Sequence, residues 1–413
     1  MKKSAIAIAV AAALGTSAVA LAETTLYGSA RVSVDFTNPD LSDTYKNGIT
    51  VNGKDYQIRY NGNSVNTEKF TEVWNDASRL GVRGSEDLGS GISAIYQYEF
   101  GVDVPGSKQG DKDIGTTGTN YWDSNRPRWV GLKGDFGALT LGTQFTPYYN
   151  VIGYTDTFNS NKTFDRDYYL RGSNTLSTPV FFQKGIAQLR RGSSVVYTTP
   201  NWNGLSAQGM VTMDGTPGAN NVDQWEANLT YANGPWFVGG AFLQDRDQQY
   251  GTPNANGTTP KQHDNQYGVA AGWDNKQFGI GGSWQQYKPD ETVNTLNLTV
   301  TPGTASTPGT VNITGIEYAK VNAYTLQGQV YFGSEVFRLT GSYVKPDNID
   351  TKAYVFEAGL QHNLSKRTRL WLEGVYTKQS FDDAKKTVGG TTYEINPDDA
   401  NMYLVSAGIR HDF

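Results

Sequence analysis

Six arginines are the residues of this sequence whose types and spacing most invite a chemical reading. Arg79 and Arg83 stand four apart in the alternating run Ser78-Arg79-Leu80-Gly81-Val82-Arg83. In a strand they share one face, roughly 13 Å apart, with Leu80 and Val82 on the other. Taking Trp129 as outward-facing puts Arg126 and Arg128 on the inner face, where Arg31 also falls, and Arg190 precedes the run containing Val195. Guanidiniums are permanent cations, so the chemistry on offer is electrostatic rather than covalent. Two unit charges about 8 Å apart in water interact by only ~0.5 kcal/mol, a weak bias. Five or six on one wall, focused by low-dielectric surroundings, give a field of several times thermal energy that orders water and favours polar solutes. The bland alternative is a set of solvated charges with no common site.

Other chemistry is thinly supplied. The chain has no cysteine and three histidines, leaving almost no material for a thiol or zinc site. His263, His362 and His411 are isolated from one another, and no H-E-x-x-H occurs. Asp135-Phe136-Gly137 matches a kinase tripeptide without its companion motifs and reads as a turn. Gly279-Ile280-Gly281-Gly282 lies inside an alternating run with no helix after it, so it is not a phosphate loop. Asp245 with Asp247, Asp382 with Asp383 and Asp398 with Asp399 fall in loops and read as solvated acidic surface, with divalent-cation binding as the alternative. The formal charge of −5 argues against nucleic acid as a partner. No cofactor and no catalytic step are expected.

The elements that would carry the arginines are short strands. Residues 1–22 read as a secretory signal, with Lys2 and Lys3, an apolar stretch from Ala5 to Leu14, and Ala20-Leu21-Ala22 as cleavage site. Cleavage there would take the formal charge from −5 to −7 by removing the two lysines. From Thr24 onward one pattern repeats: alternating segment, tight turn, alternating segment, long polar loop. Trp225, Ala227, Leu229 and Tyr231 oppose Gln224, Glu226, Asn228 and Thr230, and Tyr324, Leu326, Val330 and Phe332 oppose Thr325, Gln327 and Gln329. A single run of this kind fits any half-buried strand; its repetition along the chain does not.

Seven tight turns fall near residues 86–91, 134–137, 200–204, 232–235, 274–276, 333–335 and 364–367. Longer polar stretches lie near 36–74, 104–121, 147–190, 214–222, 247–263, 288–319 and 380–399, with a very short one near 346–350. Seven hairpins plus a strand at each end predict a sixteen-stranded antiparallel barrel whose first and last strands meet. Alternating short and long connections is the habit of a transmembrane barrel, and closure is a physical requirement, because an open edge would leave unpaired backbone groups in hydrocarbon. The mean hydropathy of −0.52 is compatible with this, since half of each barrel strand faces water. Trp129, Trp225, Trp236, Trp273 and Trp284 are candidates for interfacial aromatic girdles.

Several segments resemble the Gram-negative general trimeric porin family, especially its neisserial and beta-proteobacterial branch. They are Leu26-Tyr27-Gly28, the run from Ser78 to Gly91, Gly131 to Gly137, Asn363 to Thr368, and the ending Ala407-Gly408-Ile409-Arg410-His411-Asp412-Phe413. The resemblance implies an outer-membrane barrel with its third loop folded into the lumen. It implies a homotrimer passing small hydrophilic solutes passively, in contact with outer-membrane lipid and lipopolysaccharide, and built by the outer-membrane assembly machinery that reads Phe413. The six arginines would form the basic wall of the constriction. Gly153-Tyr154-Thr155-Asp156 is similar to the start of the constriction loop, making Asp156 the opposing acid, with Asp165 and Asp167 as further candidates because Ser160 stands where a second acid is usual. Val196 replaces an inward arginine of the family. Between 147 and 191, those three acids face six bases, Lys162, Arg166, Arg171, Lys184, Arg190 and Arg191, so the expected preference is weakly anionic or nearly neutral. The tyrosines of this segment would pack it against the wall, or else form a sugar track. A solute-specific sugar or phosphate porin is the alternative within transport. An outer-membrane enzyme using His263, and an adhesin, are alternatives from other classes.

Overall fold

The computed structural model describes residues 23–40, 47–60, 63–64, 68–106, 122–123, 126–158, 185–213, 215, 222–249, 254–294, 297–304, 306–314, 317–347, 351–380, 384–388, 390–395 and 400–413. The expected signal segment, Asp165 and Asp167, and the acid pairs at 382–383 and 398–399 lie outside them.

Sixteen antiparallel strands run up and down in sequence order. They are β1 (Glu23–Asp40), β2 (Phe70–Asn75 and Arg79–Gly89), β3 (Ile92–Val102), β4 (Trp122–Asp123 and Arg128–Gly134) and β5 (Gly137–Phe145). After a short helix α1 (Pro147–Ile152) come β6 (Arg190–Thr198), β7 (Leu205–Thr212), β8 (Gln224–Asn233), β9 (Trp236–Gln249), β10 (Lys261–Asp274) and β11 (Phe278–Lys288). The last five are β12 (Val321–Phe332), β13 (Glu335–Pro346), β14 (Lys352–Asn363), β15 (Thr368–Ser380) and β16 (Ala400–Asp412). Each strand pairs with the next, and β16 pairs with β1 from Ser29 opposite Asp412 to Asp40 opposite Asn401. The sheet therefore has no edge, the condition a lipid-spanning sheet must meet.

All seven tight turns occur where the sequence places them, and the long connections all open at the other end. The alternation also holds. Leu26, Val34 and Phe36 of β1 are exposed while Ser29, Arg31, Ser33, Asp35 and Thr37 are buried inside. In soluble proteins this would be inverted; here the apolar face is the outer one, facing hydrocarbon. Aromatic residues gather toward both rims of that face. Phe136, Trp202, Trp236, Phe278 and Phe332 sit near the tight turns. Stacked Tyr343 and Tyr354 (5.0 Å), and Tyr376 with Tyr403 (4.9 Å), sit toward the long loops. Leu139, Leu141, Val269, Ile280, Leu326 and Leu339 fill the belt between. Trp225, Trp236, Trp273 and Trp284 lie on the outer face; Trp129 does not, being opposite the inward Gln97.

The long loops carry a sheet of their own. Gly309–Thr314 pairs parallel with Lys54–Tyr60 and antiparallel with Asn297–Thr301. Tyr56 meets Tyr393 edge-on at 5.3 Å. Val311 and Ile313, on the strand Gly309–Thr314 of this sheet, are fully buried, giving the loop end a small apolar core.

Candidate pore constriction

The segment after β5 is seated on the inner wall of the barrel. Thr146 caps α1, its hydroxyl accepting from Tyr149 N at 3.1 Å, and Pro147 opens the first turn, both favoured choices at a helix start. Thr146 N donates to Leu189 O (3.2 Å) and its hydroxyl to Gln188 O (2.9 Å), pinning the base of the loop shut. Inward side chains of successive strands then hold the segment. Gln208 of β7 accepts from Asn150 (2.7 Å), Asn228 of β8 donates to Pro147 O (2.7 Å), and Ser283 of β11 bonds Thr155 (3.0 Å). Thr340 of β13 meets Thr157 at 3.1 Å. The returning limb gives Ile186 N and Ala187 N to Gln266 of β10.

Apolar side chains of the segment drop onto glycines of the wall. A Cβ at Gly268 would lie 2.6 Å from Ile152 Cδ1, and one at Gly359 would lie 2.6 Å from the Phe158 ring. Tyr154 stacks on Phe237 at 4.3 Å. Tyr148 is buried, donating to Tyr267 O (2.9 Å) and Gln285 (3.2 Å). These described tyrosines pack the segment against the wall rather than forming an open track.

Glu226 is the anchor the sequence did not single out. Its carboxylate, 1% exposed, accepts from Tyr148 N at 3.0 Å, in the first turn of α1. Glu226→Ala leaves that buried N–H without its acceptor, a loss of about 1–3 kcal/mol. It should lower the thermal midpoint and add current noise in single-channel records, whereas Glu226→Gln, which keeps an acceptor, should do neither. Equal behaviour of the two variants would show that the contact does not hold the segment.

Asp156 stands at the far end of the seated segment. Its carboxylate accepts from Tyr149 Oη at 2.9 Å, and it lines a cavity shared with Arg31, Arg338, Arg369 and Arg410. Of the expected arginines, Arg31 is buried on β1, where Ser78 Oγ accepts from its N–H (2.8 Å) and donates to its C=O (2.9 Å) across the break in β2. Arg79 and Arg126 both lie 3.8 Å from Glu99 of β3. Tyr27 Oη donates to the same carboxylate (2.9 Å) and carries Arg83 over its ring at 5.2 Å. Arg190 is buried with its guanidinium 5.5 Å above Phe145, and Arg79 lies within electrostatic range of Arg126, Arg190 and Arg410.

Arg128 departs from the expectation. Register places it opposite Tyr98 and Thr143, on the face of Val130 and Leu132 that looks outward. The irregular step at Arg126-Pro127 interrupts the strand, so the two arginines end on opposite faces, and Trp129, taken as outward, is inward. Val196 is inward and buried, as its position predicts. Asp165 and Asp167 lie outside the described residues.

Three arginines extend the wall across the seam of the barrel: Arg338 of β13, Arg369 of β15 and Arg410 of β16. Asp412 links two of them, accepting from Arg369 (2.8 Å) and Arg410 (2.7 Å). Arg31 lies within electrostatic range of Arg369 and Arg410, so the first and last strands join one basic field. The alternation held the signal: with Ile409 and Leu370 outward, Arg410 and Arg369 must point in. His263 is on the outward side of β10, and His362 is paired with Glu335 at a tight turn, 2.5 Å away. Neither is placed beside a nucleophile by any described contact. Among the described residues no cluster of histidines and carboxylates suits a metal.

The comparisons agree with this architecture. The major outer membrane protein P.IB of Neisseria meningitidis is 30% identical over 250 residues, which are 60% of this chain and 61% of that protein. An outer membrane porin protein of Bordetella pertussis is 26% identical over the whole of both chains. In fold, an anion-selective porin from Comamonas acidovorans superposes with a TM-score of 0.63 at 20% identity, over 95% of this chain and 100% of its own. OmpT of Vibrio cholerae, solved in a trimer form, gives 0.53 at 15% identity, over 95% and 99%. The family model for Gram-negative porins matches residues 7–384, and the chain belongs to that family.

Proposed function

We propose that this chain forms a water-filled channel in the Gram-negative outer membrane for passive diffusion of small hydrophilic solutes and ions. The observation that carries the reading is the seated segment 146–158, which brings Asp156 against a wall of inward arginines inside a closed barrel. A charged, hydrated eyelet of this kind passes polar solutes and retards apolar ones, because water aligned by the transverse field must be displaced by anything that cannot replace its hydrogen bonds. No bond is made or broken, so no catalytic group or cofactor is needed. Export through the signal of residues 1–22, insertion by the assembly machinery, contact with lipid and lipopolysaccharide, and assembly as a homotrimer complete the reading. They rest on the sequence resemblance and the family.

The experiment is conductance in planar bilayers of purified protein under a salt gradient. Discrete ohmic steps support the channel; a folded barrel giving none would overturn it. Along the inner face as a whole, buried acids such as Glu226, Asp245, Asp264 and Glu357 offset the arginines, but at the cavity beside Asp156 the guanidiniums of Arg31, Arg338, Arg369 and Arg410 outnumber the carboxylates Asp156 and Glu373. The expected preference is weakly anionic, with chloride favoured over potassium roughly two- to threefold, the bias one unbalanced charge supplies at about 8 Å. Replacing Arg79 and Arg126 together by glutamine leaves Glu99 unbalanced and should move the reversal potential to the cationic side. Strong cation preference in the unaltered protein would contradict the charge assignment.

A further inference from the structure

The cavity between Asp156 and the last strands holds features that a simple charged eyelet does not require. Two aromatic rings are set into it, each on a glycine. The Trp371 indole lies on Gly408, where a Cβ would come within 2.1 Å of the ring, and Phe158 lies on Gly359. By strand parity Trp371 belongs to the inward face of β15, with Arg369 and Glu373. The indole is half-buried, its N–H donating to Ser406 Oγ at 3.4 Å, and it lines the cavity among the charged groups.

The charges around the rings favour an anion. Four guanidiniums line the cavity against two carboxylates, Asp156 and Glu373. Arg369 and Arg410 share Asp412 between them. Arg338 hydrogen-bonds the neutral amide of Gln361 at 3.2 Å. Its position keeps a forked donor beside the rings without an ion pair among the described residues, the geometry that receives a carboxylate. The cavity measures about 130 Å³ and is open to the lumen, so it is smaller than the enclosed ~150 Å³ that holds a whole benzene ring and would receive a solute against its wall rather than enclose it.

We propose that this cavity is a subsite for monocyclic aromatic carboxylates, the ring against Trp371 and Phe158 and the carboxylate on Arg338. The inference rests on the channel reading and adds a solute class to it. Sugars would use the rings but not the four guanidiniums; inorganic phosphate would use the guanidiniums but not the rings. The subsite lies on the permeation path, so a bound solute obstructs chloride while it resides there.

Sodium benzoate added to single channels is the test, with sodium acetate, benzyl alcohol and inorganic phosphate as comparison probes. Benzoate should reduce chloride current saturably, whereas acetate and benzyl alcohol at the same concentration should be at least tenfold weaker, each lacking one half of the recognition. Trp371→Ala should weaken block about tenfold in channels that still conduct, Trp371→Phe should largely restore it, and Arg338→Gln should weaken benzoate block by tenfold or more. Heat-modifiable mobility on gels confirms that each variant is a folded barrel. Equal block by acetate or phosphate removes the role of the rings, and equal block by benzyl alcohol removes that of Arg338. Conducting channels with no benzoate block overturn the subsite alone, while folded barrels with no conductance overturn the channel reading beneath it.

Discussion

Removing Phe413 is expected to cut the amount of folded barrel in the outer membrane at least tenfold, far more than its contacts alone explain. Those contacts are definite. Phe413 N donates to Gly28 O and Gly28 N donates to Phe413 O, each at 3.1 Å, and the ring lies against Gly28, where an added Cβ would come within 2.4 Å of it. They form the last rung of the seam between β1 and β16. Twelve residue pairs already join these strands, from Ser29 with Asp412 to Asp40 with Asn401. Two further hydrogen bonds are worth about 1 kcal/mol each, so a purely structural role predicts a modest drop in thermal midpoint and little loss of yield. A role as the address read by the assembly machinery predicts failure of insertion. Phe413→Ala separates the two, since it keeps both backbone bonds and deletes the ring. Yield is read from heat-modifiable gel mobility of outer-membrane fractions. Near-normal amounts from Phe413→Ala and from the truncation would reduce the residue to one rung among thirteen.

The barrel was legible because lipid and lumen impose a period of two on every strand. Trp225, Ala227, Leu229 and Tyr231 face outward as a set, and no single misreading can shift one without shifting all. Tight turns were legible for the same local reason: Asp87 with Gly89, or Asn201 with Gly204, makes its own hydrogen bond within three residues. What parity cannot supply is which inward residues meet around the circumference. Arg31 and Arg410 are at opposite ends of the chain and become neighbours only when β16 closes on β1. Parity also fails wherever the strand is interrupted, which is how Arg128 came to face outward beyond Pro127. The pairing of residues 54–60 with 309–314 joins two loops far apart in the chain, and such a contact has no local signature. Glycine is the least legible of all. Its missing side chain says that something comes close, but not what.

Gly268 and Gly359 show what that absence does, and filling both should release the seated segment. At Gly268 the nearest atoms to an added Cβ are Ile152 Cδ1 (2.6 Å), Ile152 Cγ1 (3.0 Å) and Tyr148 Oη (3.0 Å). At Gly359 the nearest is the Phe158 ring at 2.6 Å, with Leu372 O next at 3.5 Å. The barrel itself thus tolerates a side chain at either place; only the segment objects. Gly272 would be a poorer choice, because Ile280 O of the neighbouring strand lies 2.7 Å from its added Cβ as well. Valine at one seat overpacks the contact by about 1–3 kcal/mol, which the remaining anchors at Glu226, Asn228, Ser283 and Thr340 can oppose at roughly 1 kcal/mol each. The single variant Gly268→Val should therefore keep the segment in place but push it toward the arginines, lowering conductance. Adding Gly359→Val removes the seat at the other end, so the summed strain rivals the anchors. The double variant should then conduct more than the unaltered channel, with frequent transitions between current levels, and lose benzoate block. Gly240→Val is the control, because nothing lies within 4 Å of its added Cβ, and it should leave conductance unchanged. A double variant indistinguishable from that control would mean that the wall glycines do not position the segment, and that its hydrogen bonds alone hold Asp156 against the arginines.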